Sequence, residues 1–328
     1  MNESRSPAAV VTAIGSFSAK TVISSLHKNE YRVVGCDIYP AEWIANSLEV
    51  DSFYQVPTSN DEQAYVDAIA SICRREHIDC ILPLTDPEID VLIKYRELFA
   101  HEGVQLLVSP RPVIERCRDK FSLYEFCRDI ERDFEVISTK RVVGEMVESP
   151  FRFPVICKPI NGRSSQGVRR IQNHREWSLF ISELQGDYIV QPLIEGENIT
   201  VDVVHQPRTA KTIAVPRKEL LRTANGAGIS VHLFLDEGFS RMCCDLACKL
   251  GIVGCVNFEF IRDESGRFWL LECNPRFSGG VSFSHEAGYD MVTNHLRCFR
   301  GDDDIDDACG VRSCYMARRY EQWVTATS

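Results

Sequence analysis

Glu259, Glu272, Asn257, Asn274 and Arg276 fall close together late in the chain, in the run GCVNFEFIRDESGRFWLLECNPRFSGG at 254–280. Cys255–Arg262 and Arg267–Asn274 both alternate, and Asp263-Glu264-Ser265-Gly266 between them has turn chemistry, so the run reads as a β-hairpin. With those four residues as the turn, Glu259 faces Leu270 and Asn257 faces Glu272, which makes Glu259 and Glu272 diagonal neighbours. The pleat then puts Asn257, Glu259, Glu272 and Asn274 on one face, and Phe258, Phe260, Trp269 and Leu271 on the other. Two carboxylates beside an apolar layer call for a shared proton or a hard divalent cation with oxygen ligands; the alternative is a solvated sheet face. Asn274-Pro275-Arg276 adds a fixed bend and a guanidinium. A cation and an arginine acting together are a usual grip on a phosphoryl group.

Other chemistry-bearing residues sit at element ends. Strand Pro154–Lys158 runs into the loop Pro159–Val168, rich in Gly, Ser and Arg, whose backbone N–H groups could close around phosphates. No Gly-Lys-Ser/Thr opens a helix there, so it is not a P-loop. Helix Val113–Cys127 carries Asp119-Lys120, and strand Tyr188–Ile194 turns at Glu195–Asn198 into strand Ile199–Val204. Between the strands near Ala210–Val215 and Ile229–Phe234 lies a basic, glycine-bearing segment. Arg217, Lys218 and Arg222 there, with His232 from the second strand, read either as carboxylate or phosphate contacts or as a solvated basic loop, and Asn225–Gly228 as a lid. Leu84–Glu88 lies at the carboxyl end of a strand, where open α/β sheets bind ligands. It is a candidate substrate wall, although Asp86 equally suits a helix N-cap with Pro87 at N1.

The elements that must position these groups begin with strand Pro7–Ile14, helix Ala19–Lys28 and strand Tyr31–Asp37, a β-α-β start that predicts a doubly wound parallel sheet. Helix Asp61–Glu76, strand Asp79–Leu84, helix Pro87–Glu102 and strand Val104–Val108 continue it. The dinucleotide fingerprint is missing, with only Gly15 in place, so Asp37 is a weak candidate for a ribose ligand. Ser109-Pro110-Arg111-Pro112 breaks the rhythm and marks a boundary; helix Phe239–Leu250 leads into the hairpin. The 328 residues carry a net charge of −10, which argues against a general nucleic-acid surface. No apolar run reaches the ~18–20 residues of a membrane span, and the N-terminus lacks signal-peptide order, which predicts a cytoplasmic protein. The 14 cysteines include no C-x-x-C, and no His follows Cys244 and Cys248 at ligand spacing; reduced core thiols are expected.

Taken in order, DKFSLYEFC at 119–127, VICKPINGRSSQGV at 155–168, IVQPLIEGENITVDVV at 189–204 and the hairpin resemble the ATP-grasp superfamily. Within it the chain is most similar to the carbamoyl-phosphate-synthase-like group, which includes stand-alone carboxylate–amine ligases. The resemblance implies an α/β fold (α+β in the ATP-binding part) in three parts. These are an N-terminal doubly wound domain at 1–110, a small lid-bearing subdomain at 111–188 and a catalytic domain at 189–328. It implies ATP and Mg²⁺ (or Mn²⁺) as cofactors. Lys120 and Lys158 would hold phosphates and border the adenine, with Ser164, Ser165 and Gly167 in the phosphate loop. Gln191 and Ile194 would form the hinge beside the adenine. Glu259, Glu272 and Asn274 would bind the metal, and Arg276 would stabilise the acyl phosphate, with Arg217 and Arg222 as further catalytic candidates. The usual Gly-x-Glu after the hinge is here Gly196-Glu197-Asn198, which leaves the ribose to Asn198 or to Glu197 by a local shift; Pro192 stands where an acid or Lys is common. The implied activity is an ATP-dependent ligase joining a small-molecule carboxylate and an amine, with no nucleic-acid or membrane partner, and similar proteins often dimerise through the N-terminal domain. The alternatives are carbamoyl-phosphate or carboxyphosphate chemistry, or a non-catalytic nucleotide-binding protein.

Overall fold

The computed structural model describes residues 5–130, 132–144, 146–163, 166–224, 226–301 and 304–327. Its first sheet is built from short strands: β1 (Ala8–Val11), β2 (Arg32–Asp37), β3 (Ser52–Gln55), β4 (Cys80–Leu82) and β5 (Gln105–Leu106). They run parallel in the order β3-β2-β1-β4-β5, as the doubly wound expectation requires. Helices α1 (Ala19–Lys28), α2 (Glu62–Glu76), α3 (Asp86–Leu92) and α4 (Arg96–His101) connect them. Alternate residues of β1 feed different cores. Ala8 and Val10 pack with α2 and α3, while Ala9 and Val11 join α1 in a core shared with the C-terminal part of the chain.

The helix expected over 113–127 is two helices, α5 (Arg111–Arg118) and α6 (Lys120–Asp129). Asp119 leaves helical geometry (φ −91°, ψ 106°) and its carboxylate accepts the N–H groups of Phe121 and Ser122, at 2.8 Å each. The cap matters to the site because it makes Lys120 the first residue of a new helix.

A second, antiparallel sheet has the order β7-β10-β8-β9, from β7 (Lys140–Val142), β8 (Val155–Pro159), β9 (Arg169–Ile171) and β10 (Tyr188–Pro192). It is closed on one face by α7 (His174–Ser182), whose Trp177 is fully buried against Val155, Cys157 and Val190. The third sheet is the largest, in the order β16-β13-β12-β11-β14-β15-β6. Its members are β6 (Glu135–Val136), β11 (Glu197–Gln206), β12 (Lys211–Arg222), β13 (Gly228–Leu233), β14 (Gly254–Arg262), β15 (Phe268–Asn274) and β16 (Cys314–Ala317). Helix α8 (Glu237–Leu250) covers the face carrying Ile199, Val201, Val203, Val256, Phe258 and Phe260. Helices α9 (Val281–Glu286) and α10 (Met291–Arg300) lie on the other side, within the core shared with the first sheet. Arg217, Lys218 and Arg222, read as a loop from sequence, belong to β12.

The hairpin forms with a different register from the simple count. Asp263 N–H bonds to Arg267 O, so the turn takes one more residue, and a bulge follows Glu259. Phe260 pairs with Leu270, Glu259 directly with Glu272, and Asn257 directly with Asn274. The extra residue is Leu271. The polar set stays on one face, but Leu270 replaces Leu271 in the core, and Leu271 turns to the site. Trp269 likewise lies opposite Ile261, a residue of the site face, rather than in the core.

All 14 cysteines are free, ten of them buried. No helix of the described residues is long and apolar enough to cross a membrane.

Candidate active site

Strand pairing on the third sheet sets two rows of side chains on the face away from α8. One row runs Arg217, Thr200, Glu259, Glu272; the next runs Val215, Asp202, Asn257, Asn274. The period of two along β11 and β14 sends Val201 and Phe258 into the core, and thereby Thr200, Asp202, Asn257 and Glu259 to this face. Two adjoining cavities open over it.

The first, of about 250 Å³, lies between the second and third sheets and is lined on its polar side by Lys120, Lys158, Arg163, Arg222, Glu259 and Glu272. Lys120 donates to Gly162 O (2.7 Å) and stands 3.4 Å from Glu272 Oε2. Burial and the neighbouring Lys120 push the Lys158 ammonium down, against the pull of Glu272 and Glu259. Gln191 and Ile194 line the same cavity, with Leu193 between them. The Gln191 amide donates to Thr139 Oγ1 (2.8 Å), while its buried Oε1 has no partner among the described residues. Asn198 is on the cavity wall. Glu197 is not; its carboxylate is held by Lys218 and by Arg262 Nε (3.0 Å), which keep it below the usual carboxylate range. Gly167 sits away from this cavity, at φ +71°, against Pro159 and Tyr188, where a Cβ would lie 2.8 Å from the proline ring. Ser164, Ser165 and Asn225 lie outside the described residues. His232 stacks on Tyr315 at 4.2 Å and lines neither cavity.

The second cavity, of about 520 Å³, lies between the first and third sheets. Leu84, Thr85, Asp86 and Pro87 form one wall, so the β4 end is a wall of the site. Asp86 is not the helix cap; Thr85 takes that position, and Asp86 pairs with Arg276 Nη2 at 3.0 Å. Burial opposes the Asp86 charge, but Arg276 and Arg118 outweigh it and hold the carboxyl low. Arg217 is 2% exposed at the back, donating to Asp202 (2.7 Å), Glu219 (3.1 Å) and Ser278 Oγ (2.9 Å). The turn Gly226–Gly228, the segment Ser278–Gly280 and residues Gly15–Ser18 before α1 add to the lining. Arg163 and Glu259 line both cavities.

Glu259 and Glu272 form the electrostatic centre. Burial and then Glu272 push the Glu259 carboxyl up, partly countered by Arg222 at 3.1 Å. Burial acts the same way on Glu272, yet Lys120 and Lys158 overcome it and hold that carboxyl low. The Asn274 amide lies between them, 3.4 Å from an oxygen of each. Among the described residues no group of three or more His, Cys, Asp or Glu forms a cage for a metal ion. Two facing carboxylates and an amide fit an ion that takes its remaining oxygens from water and phosphate, as Mg²⁺ does.

Sequence reasoning did not select Arg163, Asp202, Glu219 or Thr200 as site residues. Asp202 carried a signal: an acid inside the apolar strand ITVDVV needs a buried partner, and Arg217 supplies it.

Residues 185–321 match the family described as "ATP-grasp in the biosynthetic pathway with Ter operon", and residues 11–107 match "PylC-like, N-terminal domain". A D-alanine–D-alanine ligase of Francisella tularensis subsp. novicida (strain U112) is 23% identical over 270 residues, 78% of this chain and 81% of that one. A biotin carboxylase–β-γ-ATP complex from Campylobacter jejuni superposes with a TM-score of 0.77 at 16% identity, covering 93% of this chain and 73% of that one. An L-amino acid ligase from Bacillus licheniformis gives a TM-score of 0.71 at 15% identity, over 90% and 76%. The two cavities and the paired glutamates thus lie in a chain whose residues 185–321 form an ATP-grasp domain behind a PylC-like N-terminal domain.

Proposed function

We propose that the protein is an ATP- and Mg²⁺-dependent carboxylate–amine ligase that forms an amide through an acyl phosphate. The observation that carries this is the junction of the two cavities. Because Arg163 and Glu259 line both, a phosphate held in the first ends where a carboxylate held in the second begins. The relative and the neighbour that bear amino-acid ligase names support an amino acid as one substrate.

In this reading Lys120, Lys158 and Arg163 hold the phosphates of ATP, Gln191 and Ile194 border the adenine, and Asn198 meets the ribose. Glu259, Glu272 and Asn274 would hold Mg²⁺, which supplies neutralisation of phosphoryl charge. A carboxylate oriented by Arg276 attacks the γ-phosphorus while the bond to the ADP oxygen breaks. The amine nitrogen then bonds the acyl carbon, phosphate leaves with the C–O electron pair, and the excess proton passes to phosphate or solvent. Arg276 N–H groups face the oxyanion of that step, a role whose loss costs about 10²–10³ in rate. Lys120 and Lys158 need only hold position, because phosphoryl transfer asks the protein for placement and charge rather than covalent help.

The test is ADP release from ATP across pairs of acids and amines, with hydroxylamine as a trap for the acyl phosphate. Turnover that requires an acid, and a hydroxamate of that acid, is the expected result. Turnover driven by bicarbonate alone would point to carboxyphosphate chemistry, and nucleotide binding without any turnover would point to a non-catalytic protein.

A further inference from the structure

The second cavity holds a charge that the ligase reading leaves unused. Glu219, on β12, lines it with a side chain only 3% exposed. Its Oε1 accepts from Arg217 Nε at 3.1 Å, whereas its buried Oε2 has no hydrogen-bond partner among the described residues. Arg217 is already spent on Glu219, Asp202 and Ser278. A buried carboxylate oxygen without a donor is costly, so the position suits an incoming cation with N–H groups. Across the cavity Asp86 Oδ1 also has no hydrogen-bond partner, although Arg118 lies 3.7 Å away. The backbone near Glu219 is cut back as well: a Cβ on Gly228 of β13 would lie 2.3 Å from Oε2.

We infer that Glu219 receives the ammonium group of the acid substrate, so that the acyl donor is an amino acid with its carboxylate toward Arg276. This rests on the ligase reading above. The ammonium belongs to the donor and not to the attacking amine, because a buried carboxylate keeps a bound amine protonated and therefore without a free electron pair.

The experiment compares wild type with Glu219→Gln on amino acids and their deaminated acids: L- or D-alanine against propionate, glutamate against glutarate, lysine against 6-aminohexanoate. Two readouts are taken, phosphate release with hydroxylamine as acceptor, and the melting shift in Mg²⁺ plus a non-hydrolysable ATP analogue. In wild type the productive amino acid should have a KM at least about tenfold below that of its deaminated acid. Glu219→Gln should raise KM for the amino acid by about 10–100-fold, leave KM for ATP and for the deaminated acid in place, and so erase the preference. Gly228→Ala, which crowds the same oxygen, should do likewise and serves if Glu219→Gln folds poorly. A variant pair that keeps the wild-type preference would overturn the assignment and leave Glu219 as a prop for Arg217. Ammonium-dependent melting shifts that vanish in Glu219→Gln, with no turnover on any acid, would support the subsite and overturn the ligase reading alone. Absence of both turnover and shift would overturn the subsite too.

Discussion

Replacing each central glutamate by glutamine should move stability in opposite directions when no nucleotide is present. Mutual repulsion alone would make both replacements stabilising, but the surroundings differ. Burial and Glu272 make the charge on Glu259 unfavourable in the fold, whereas Lys120 and Lys158 outweigh burial and make the charge on Glu272 favourable. At neutral pH, Glu259→Gln removes a penalised charge and should raise Tm; Glu272→Gln removes a supported one and should lower it. The side chains are 22% and 29% exposed, so each effect should be about 1 kcal/mol or less, roughly 1–2 °C in a chain of this size.

The pH dependence follows the same signs. The Glu272 contribution is present above the ordinary glutamate pKa of about 4.3 and is lost as pH falls through its lower folded value. The Glu259 penalty is instead present in full above its raised value and is relieved as pH falls through that value toward the ordinary one. The difference between the variants should therefore shrink on acidification. With Mg²⁺ and a non-hydrolysable ATP analogue at a hundredfold excess over Kd, wild type should gain about 2.7 kcal/mol and both variants much less. Turnover in each should fall at least about 10²-fold. Thermal melts at two pH values with and without ligand, plus phosphate release, decide the matter. Shifts of the same sign in both variants would refute the compensation by Lys120 and Lys158, and near wild-type turnover would reduce the pair to a plain sheet face.

Lys158→Ala should weaken ATP binding by about 10–100-fold, as for one lost charge-assisted bond; unchanged affinity by calorimetry would remove Lys158 from the phosphate site. Asn198→Ala should cost ATP affinity about 3–10-fold, whereas Glu197→Gln should leave it in place, since of the two only Asn198 lines the first cavity. Buried His295 accepts from Cys255 N–H (2.8 Å) and its Nε2 lies 3.2 Å from Leu107 O, and burial pushes its pKa down to about 4. The unfolded chain takes up the proton first as pH drops, so about 3 kcal/mol of stability should be lost between roughly pH 6.5 and 4. Urea melts across that range should show the slope and His295→Gln should flatten it.

The parallel sheet was legible because its signals are local: β1, β2 and β4 are short apolar runs, and α1 spans Ala19–Lys28 as the periodicity requires. β6, of two residues, and β7, of three, left almost no pattern, because edge pairing rather than composition makes them strands. The break between α5 and α6 could have been read from Asp119, whose type suits a cap, but an apolar period running through 113–127 concealed it.

The hairpin shows why parity alone could not finish the site. Counting from the turn put Glu259 and Glu272 on one face, but a count has no means of seeing a bulge, and one inserted residue exchanges the faces of everything nearer the turn. The bulge at Leu271 does two things at once. It lets Leu270 reach the core while Leu271 lines the first cavity, and it moves Glu272 from a diagonal to a directly facing position against Glu259. Facing carboxylates repel more than diagonal ones, which is an arrangement a sheet keeps only where neighbouring cations offset it. Lys120 comes from the start of α6, Lys158 from β8 and Arg222 from the end of β12, three elements far apart in sequence. Their convergence on two acids is a property of the packed domains, and the unequal support they give Glu259 and Glu272 is therefore written in the fold and not in the hairpin.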